Sequence, residues 1–148
     1  MAAIKTILLV EDNTDDEELA RIALEESRIA NEVRIARDGA EALECLYPEE
    51  GDGSRVMSPP PAVVLLDLKL PKVDGMEVLR RIRADERTRL LPVVVLTSSA
   101  EEEDILNSYG LGANSYMRKP VDFDQFHDMV KQFGMYWLLL NEVPYGER

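Results

Sequence analysis

Two rhythms of apolar and polar positions alternate along the chain. Continuous apolar runs occupy 4–10 (IKTILLV), 62–66 (AVVLL) and 92–97 (PVVVLT). They are too short for helices, rich in β-branched residues and apolar on both faces, as strands of a covered parallel sheet are. Residues 32–37 (EVRIAR) and 114–119 (NSYMRK) read as weaker strands. Between them the spacing turns helical. In 13–27, Leu19, Ile22 and Ala23 recur on one face, and Thr14 with Glu17 is spaced as a capping box. Residues 38–47 predict a short helix, 75–85 one that buries Val78, Leu79 and Ile82, and 101–110 an acidic-starting one. A long helix runs from Asp122 to about 140. Residues 48–61, rich in Gly, Pro and charge, predict a long loop with a mobile or contact role. Strand and helix alternate five times, which predicts an α/β fold: a doubly wound, five-stranded parallel sheet with right-handed crossovers.

At 148 residues the chain suits one domain. Its net charge of −12 argues against nucleic acid or an anionic membrane as direct partner. Cys45 is the single cysteine, so no internal disulfide can form, and it reads as a small buried thiol. Acidic residues follow the first strand too early for a signal peptide, and MYWLLL (135–140) is far short of a bilayer span. A cytoplasmic protein is expected.

In a parallel sheet of this kind, ligands bind beyond the carboxyl ends of the strands. Glu11 and Asp12 follow the first strand, Asp67 the third, Thr97 closes the fourth and Lys119 the fifth. Singly, the acids could cap a helix, Thr97 could merely end a strand and Lys119 could be solvated. Jointly they gather chemistry at one sheet edge. Crowded carboxylates repel one another, and a hard divalent cation relieves them. That cation and the Lys119 ammonium would cradle a phosphoryl group on Asp67, with Thr97 donating to a further oxygen. A rigid strand end is where a nucleophile is best held.

The segments LLVEDN, VVLLDLKLPKVDG, PVVVLTSS and SYMRKP resemble the receiver domain of two-component response regulators, over about residues 5–133. The resemblance implies the flavodoxin-like (βα)5 fold with strand order 2-1-3-4-5. It implies that Asp67 accepts a phosphoryl group from a histidine of a partner kinase. Mg2+ would be held by Asp12, Asp67 and the backbone carbonyl of Lys69, and by Glu11 through water. Lys119 would pair with the phosphoryl group, Thr97 would move toward it, and Tyr116 would swing inward in step. The Lys119–Pro120 bond would be cis, and Gly75 would permit the turn closing the loop after Asp67. Ser98 would border access to the phosphoryl group, and autodephosphorylation is expected. The switched surface would be the fourth helix, fifth strand and fifth helix.

His127 lies away from this edge and reads as a solvated helix residue. The cluster Arg80, Arg81, Arg83, Arg87 and Arg89 reads as a basic helix end complementing its dipole, with an acidic partner as the alternative. No output domain follows, so a stand-alone receiver with a helical extension over about 134–148 is expected. Phe126, Met129, Val130, Phe133, Trp137 and Leu140 share a stripe that is core if the helix stays straight. Met135, Tyr136, Leu138, Leu139 and Val143 fall off it. This predicts a two-fold homodimer with Tyr136, Trp137, Leu138 and Leu139 at the interface; the alternative is a tail folded back on its own domain. The long loop and the tail WLLLNEVP are similar to the regulators paired with bacterial phytochromes. Rival readings are a haloacid-dehalogenase-type phosphatase, which would carry a second acid where Lys69 stands, a flavodoxin-like cofactor binder, and a non-phosphorylated scaffold receiver. For the cofactor binder, acidic EDNTDDEE is the wrong loop to cradle a phosphate.

Overall fold

The structure is a computed structural model that describes residues 4–29, 31–48, 57 and 59–144. Strands β1 (Lys5–Val10), β2 (Asn31–Ala36), β3 (Val63–Leu66), β4 (Val93–Thr97) and β5 (Ser115–Arg118) alternate with helices α1 (Thr14–Glu26), α2 (Gly39–Leu46), α3 (Gly75–Ala84), α4 (Glu102–Gly110) and α5 (Phe123–Gly134). All strand pairs are parallel, in the order β2-β1-β3-β4-β5.

The continuous apolar strands are buried on both faces because alternate residues feed two cores. Ile7, Leu9, Val63, Leu65, Val94 and Leu96 meet α1 and α5 through Ala20, Ala23, Leu24, Phe126, Val130 and Phe133. Leu8, Val10, Val64, Leu66, Val93 and Val95 meet α2 and α3 through Ala42, Leu46, Val78, Leu79 and Ile82. Edge strand β5 is only half buried.

Four helices begin on a short polar side chain that accepts an N–H of their first turn: Asn13 from Asp16, Asp38 from Glu41, Asp74 from Glu77 and Asp122 from Gln125. The α1 cap is therefore Asn13, and the expected Thr14–Glu17 box does not form. Glu17 instead turns inward to meet Arg37 at 3.0 Å. The buried stripe of α1 runs through Ala20, Ala23 and Leu24, while Ile22 faces solvent, because packing on α5 selects the small residues: a Cβ at Gly134 would already stand 3.1 Å from Leu24. Residues 49–56 and 58 of the expected loop lie outside the described residues. Met57 is core: it is buried, and its N–H donates to the Leu46 carbonyl at 2.8 Å.

The tail departs from the straight-helix stripe. Residues Met135–Leu140 form a π-helical turn, in which the Asn141 N–H reaches back five residues to the Tyr136 carbonyl at 2.7 Å. The wider turn rotates the later side chains about the helix axis. Leu138, expected at a dimer interface, is instead 2% exposed in the α1–α5 core, and Leu140, expected in the core, is 65% exposed. The Lys5 ammonium ties the turn to β1 by donating to the Leu138 carbonyl at 2.7 Å. Trp137 is half-buried against the same core and stacks edge-on against Tyr136. Met135, Tyr136 and Leu139 stay exposed.

Two further expectations change. His127 bridges α5 to α1, its Nε2 lying 2.5 Å from Glu26, instead of standing free in solvent. Arg83 is a backbone clamp and not merely a helix-end charge. It donates to the carbonyls of Gly112, Arg89 and Leu91 and to the Asn114 side chain. Among the described residues, no helix is long and apolar enough to cross a membrane.

Candidate functional site

The sheet itself sets the site. Val10 and Leu66 are paired at the ends of β1 and β3, so Glu11 and Asp67 leave the sheet side by side. Each is pinned by one more ladder bond: Asp67 N–H to the Val10 carbonyl at 3.1 Å and Glu11 N–H to the Ala36 carbonyl at 3.0 Å. Lys119 leaves β5 pinned in the same way, N–H to the Thr97 carbonyl at 2.7 Å. The carboxylates and the ammonium therefore converge from rigid strand ends into an open crevice of about 690 Å3.

Inside it, the Lys119 Nζ lies 2.6 Å from Glu11 Oε1, 2.9 Å from Asp67 Oδ2 and 3.0 Å from Asp16 Oδ2. The other oxygen of Glu11 accepts the Asn13 N–H at 3.2 Å, and Asp67 Oδ1 accepts the Lys69 N–H at 3.3 Å. Glu11 and Asp67 are buried, and Asp12 is exposed at the rim. Burial is the main force on Glu11. It pushes the carboxyl up from 4.5 to about 7, against the pull of Lys119 and with help from the neighbouring Asp67 charge. Burial opposes the Lys119 ammonium too, but its hydrogen bonds to Glu11 and Asp67 prevail and hold its pKa above the ordinary lysine value.

Among the described residues, Glu11, Asp12 and Asp67 bring carboxylate oxygens within 4.8 Å of one another. One ammonium carries a single positive charge against these three carboxylates. An all-oxygen donor set in that state fits a hard divalent cation.

The remaining predicted residues are placed less uniformly. Lys69 and Ser98 line the crevice. Thr97 is fully buried behind it and does not line it; its hydroxyl faces the Ser99 N–H at 3.5 Å. Tyr116 directs its hydroxyl to the Ser99 carbonyl at 2.9 Å, and the Ser99 hydroxyl donates to Asp104 at 2.6 Å, so the segment after β4 is held from both sides. Burial is the main reason the Tyr116 phenol is pushed up. Pro120 follows Lys119 in the turn before α5.

Gly75 is needed for a different reason than a turn angle. A Cβ there would stand 2.2 Å from the Asp67 carbonyl oxygen, so the first residue of α3 packs directly on the loop after Asp67. The left-handed residue of that loop is Lys72, at φ 67°. Sequence reasoning missed Asp16. It reads as one of the early acids that suit a helix N-terminus, and because Asp12 lies before the helix no helical spacing links the two.

A parallel sheet carrying three carboxylates and a lysine together at its carboxyl edge fits the receiver class. The chain belongs to that family: the model of the response regulator receiver domain matches residues 7–131. Among curated relatives, the probable methanogenesis regulatory protein FilR2 of Methanothrix harundinacea is 43% identical, covering 93% of this chain and 86% of its own. Response regulator Rcp1 of Synechocystis is 41% identical, covering 95% and 93%. Among solved structures, the Mn(2+)-bound form of Rcp1 superposes with TM-score 0.85 at 39% identity, over 95% and 99% of the two chains. The phosphorylated cyanobacterial phytochrome response regulator RcpA gives 0.87 at 42%, over 96% and 99%. The bacteriophytochrome response regulator AtBRR gives 0.70 at 51%, over 95% and 100%.

Proposed function

We propose that Asp67 accepts a phosphoryl group from a histidine of a partner kinase, and that the chain acts as a response regulator. The observation that carries this is the Asp67 carboxylate, fixed at a strand end, 2.9 Å from a half-buried ammonium and beside two further acids. In the transfer, an Asp67 oxygen forms a bond to phosphorus as the phosphorus–nitrogen bond to histidine breaks, and the imidazole takes up a proton. Lys119 neutralises charge on the transferred group, and the backbone N–H of Lys69 holds the other Asp67 oxygen. A divalent cation, taken here to be Mg2+, would be held by Glu11, Asp12, Asp67 and the Lys69 carbonyl, and supplies electrostatic neutralisation of the phosphoryl oxygens. Water attacking phosphorus would later break the bond to Asp67, releasing inorganic phosphate and restoring the carboxylate, so autodephosphorylation belongs to the reading.

The readout is a switch through Thr97, Tyr116 and α4. This helix is lightly held: its first turn has no side-chain cap, Ser108 is its one buried residue, and Leu106 and Tyr109 are exposed. An element so held is easily rebiased. The similarity to RcpA and AtBRR supports a phytochrome-type histidine kinase as partner. The exposed Tyr136 and Leu139 beside the half-buried Trp137 support a two-fold dimer through this face, now without Leu138. The half-buried, unpaired Cys45 suits a reducing cytoplasm. The test is phosphate transfer from an autophosphorylated bacterial phytochrome kinase. Rapid loss of label from the kinase with gain on this chain, absent in Asp67→Asn, is expected; retention of label on the kinase contradicts the partner assignment.

A further inference from the structure

Resting on that reading, we propose that Asp16 is a positioning residue that competes with the phosphoryl group for Lys119 and so sets how tightly the site holds a phosphoryl group. An ammonium has three hydrogens, and all three face carboxylates: Glu11 at 2.6 Å, Asp67 at 2.9 Å and Asp16 at 3.0 Å. A phosphoryl oxygen on Asp67 can receive a hydrogen from Lys119 only when one of these partners lets go.

The three differ in what release costs. The Glu11 side chain is only 3% exposed, so it has little solvent to replace the ammonium. Asp67 carries the new group. The Asp16 side chain is 27% exposed at the crevice mouth, so water can replace the ammonium there. Asp16 is not needed for the helix cap, because the cap bond uses its backbone N–H and the Asn13 side chain. Its carboxylate instead reaches from the first turn of α1 to the end of β5. Asp16 is therefore the partner that gives way, and its hold on Lys119 is a standing cost to the phosphorylated state.

The test is equilibrium binding of beryllofluoride, a tetrahedral phosphoryl mimic that bonds a carboxylate oxygen, followed by fluorine NMR at saturating Mg2+. Wild type, Asp16→Asn, Lys119→Ala and the double variant complete a cycle. Asp16→Asn should bind beryllofluoride about threefold to tenfold more tightly than wild type, and Asp16→Ala at least as tightly. In the Lys119→Ala background the same substitution should change affinity less than twofold. Equal tightening in both backgrounds would overturn the proposal in favour of plain through-space repulsion. Unchanged or weaker binding in Asp16→Asn would overturn it outright. Absence of binding by the wild type would overturn the phosphoacceptor reading beneath it.

Discussion

Glu11 makes the folded chain sensitive to pH in a direction opposite to most carboxylates. Burial lifts its carboxyl from 4.5 to about 7. Below pH 4.5 both folded and unfolded chains hold the proton. Between 4.5 and about 7 the unfolded chain releases it while the folded chain keeps it. The folded state then binds more protons, so stability falls as pH rises through this window and levels off above it. The loss is on the order of 3 kcal/mol. Glu11→Gln isolates it: the amide keeps the shape and can still accept from Lys119, but never ionises. Asp38, held low by the Glu41 N–H, and Asp85, held low by the Arg87 side chain, pull stability the other way. Both are present in each protein and cancel in the comparison. Thermal melts in chelator should show the variant gaining on wild type from pH 4.5 to 8, by roughly 6–12 °C for a chain of this size. Mg2+ at a hundred times its dissociation constant should return about 2.7 kcal/mol to the wild type at pH 8. A gap that stays constant with pH would refute the claim that Glu11 bears the burial cost of the site.

Other outcomes rest on the same geometry. Leu138→Ala should cost about 2–5 kcal/mol and Leu139→Ala less than about 0.5 kcal/mol in denaturant melts, since the π-turn buries the first and exposes the second; the reverse order would refute the turn. Gly75→Ala should displace the loop after Asp67 and slow phosphorylation by small donors at least tenfold (an order-of-magnitude expectation, since misplacing a reacting group by about 1 Å costs about a hundredfold), measured against its melting temperature. Tyr116→Phe should lose the bond to the Ser99 carbonyl, worth about 1 kcal/mol, and raise amide exchange in the Ser98–Asp104 segment and α4 above the rest of the sheet.

Much of this architecture is legible in the sequence because β1, β3 and β4 are short apolar runs that stop at a polar residue. The stops at Glu11, Asp67, Thr97 and Lys119 all fall on one edge once the strands are parallel, and the crevice is the consequence. What the sequence hides are features that depend on a partner element. The Asp16 carboxylate looks like any acid in a first helical turn until β5 brings Lys119 to it. Ile22 fits the helical spacing, but α5 packs against the small residues beside it. The tail defeats a straight-helix reading because the wider π-helical turn rotates Leu138 inward and Leu140 out. Met57, inside a polar loop, is core for a reason visible only once Leu46 accepts its N–H.

The most direct test is the site of covalent modification. The chain is incubated with phosphoramidate and Mg2+, its intact mass is measured, and the adduct is reduced with borohydride, which converts an aspartyl phosphate to homoserine. One phosphate per chain, lost with chelator and absent in Asp67→Asn, with homoserine appearing at position 67, is the predicted result. An adduct that survives in Asp67→Asn, or no adduct while Mg2+ binding is intact, would contradict Asp67 as the phosphoacceptor.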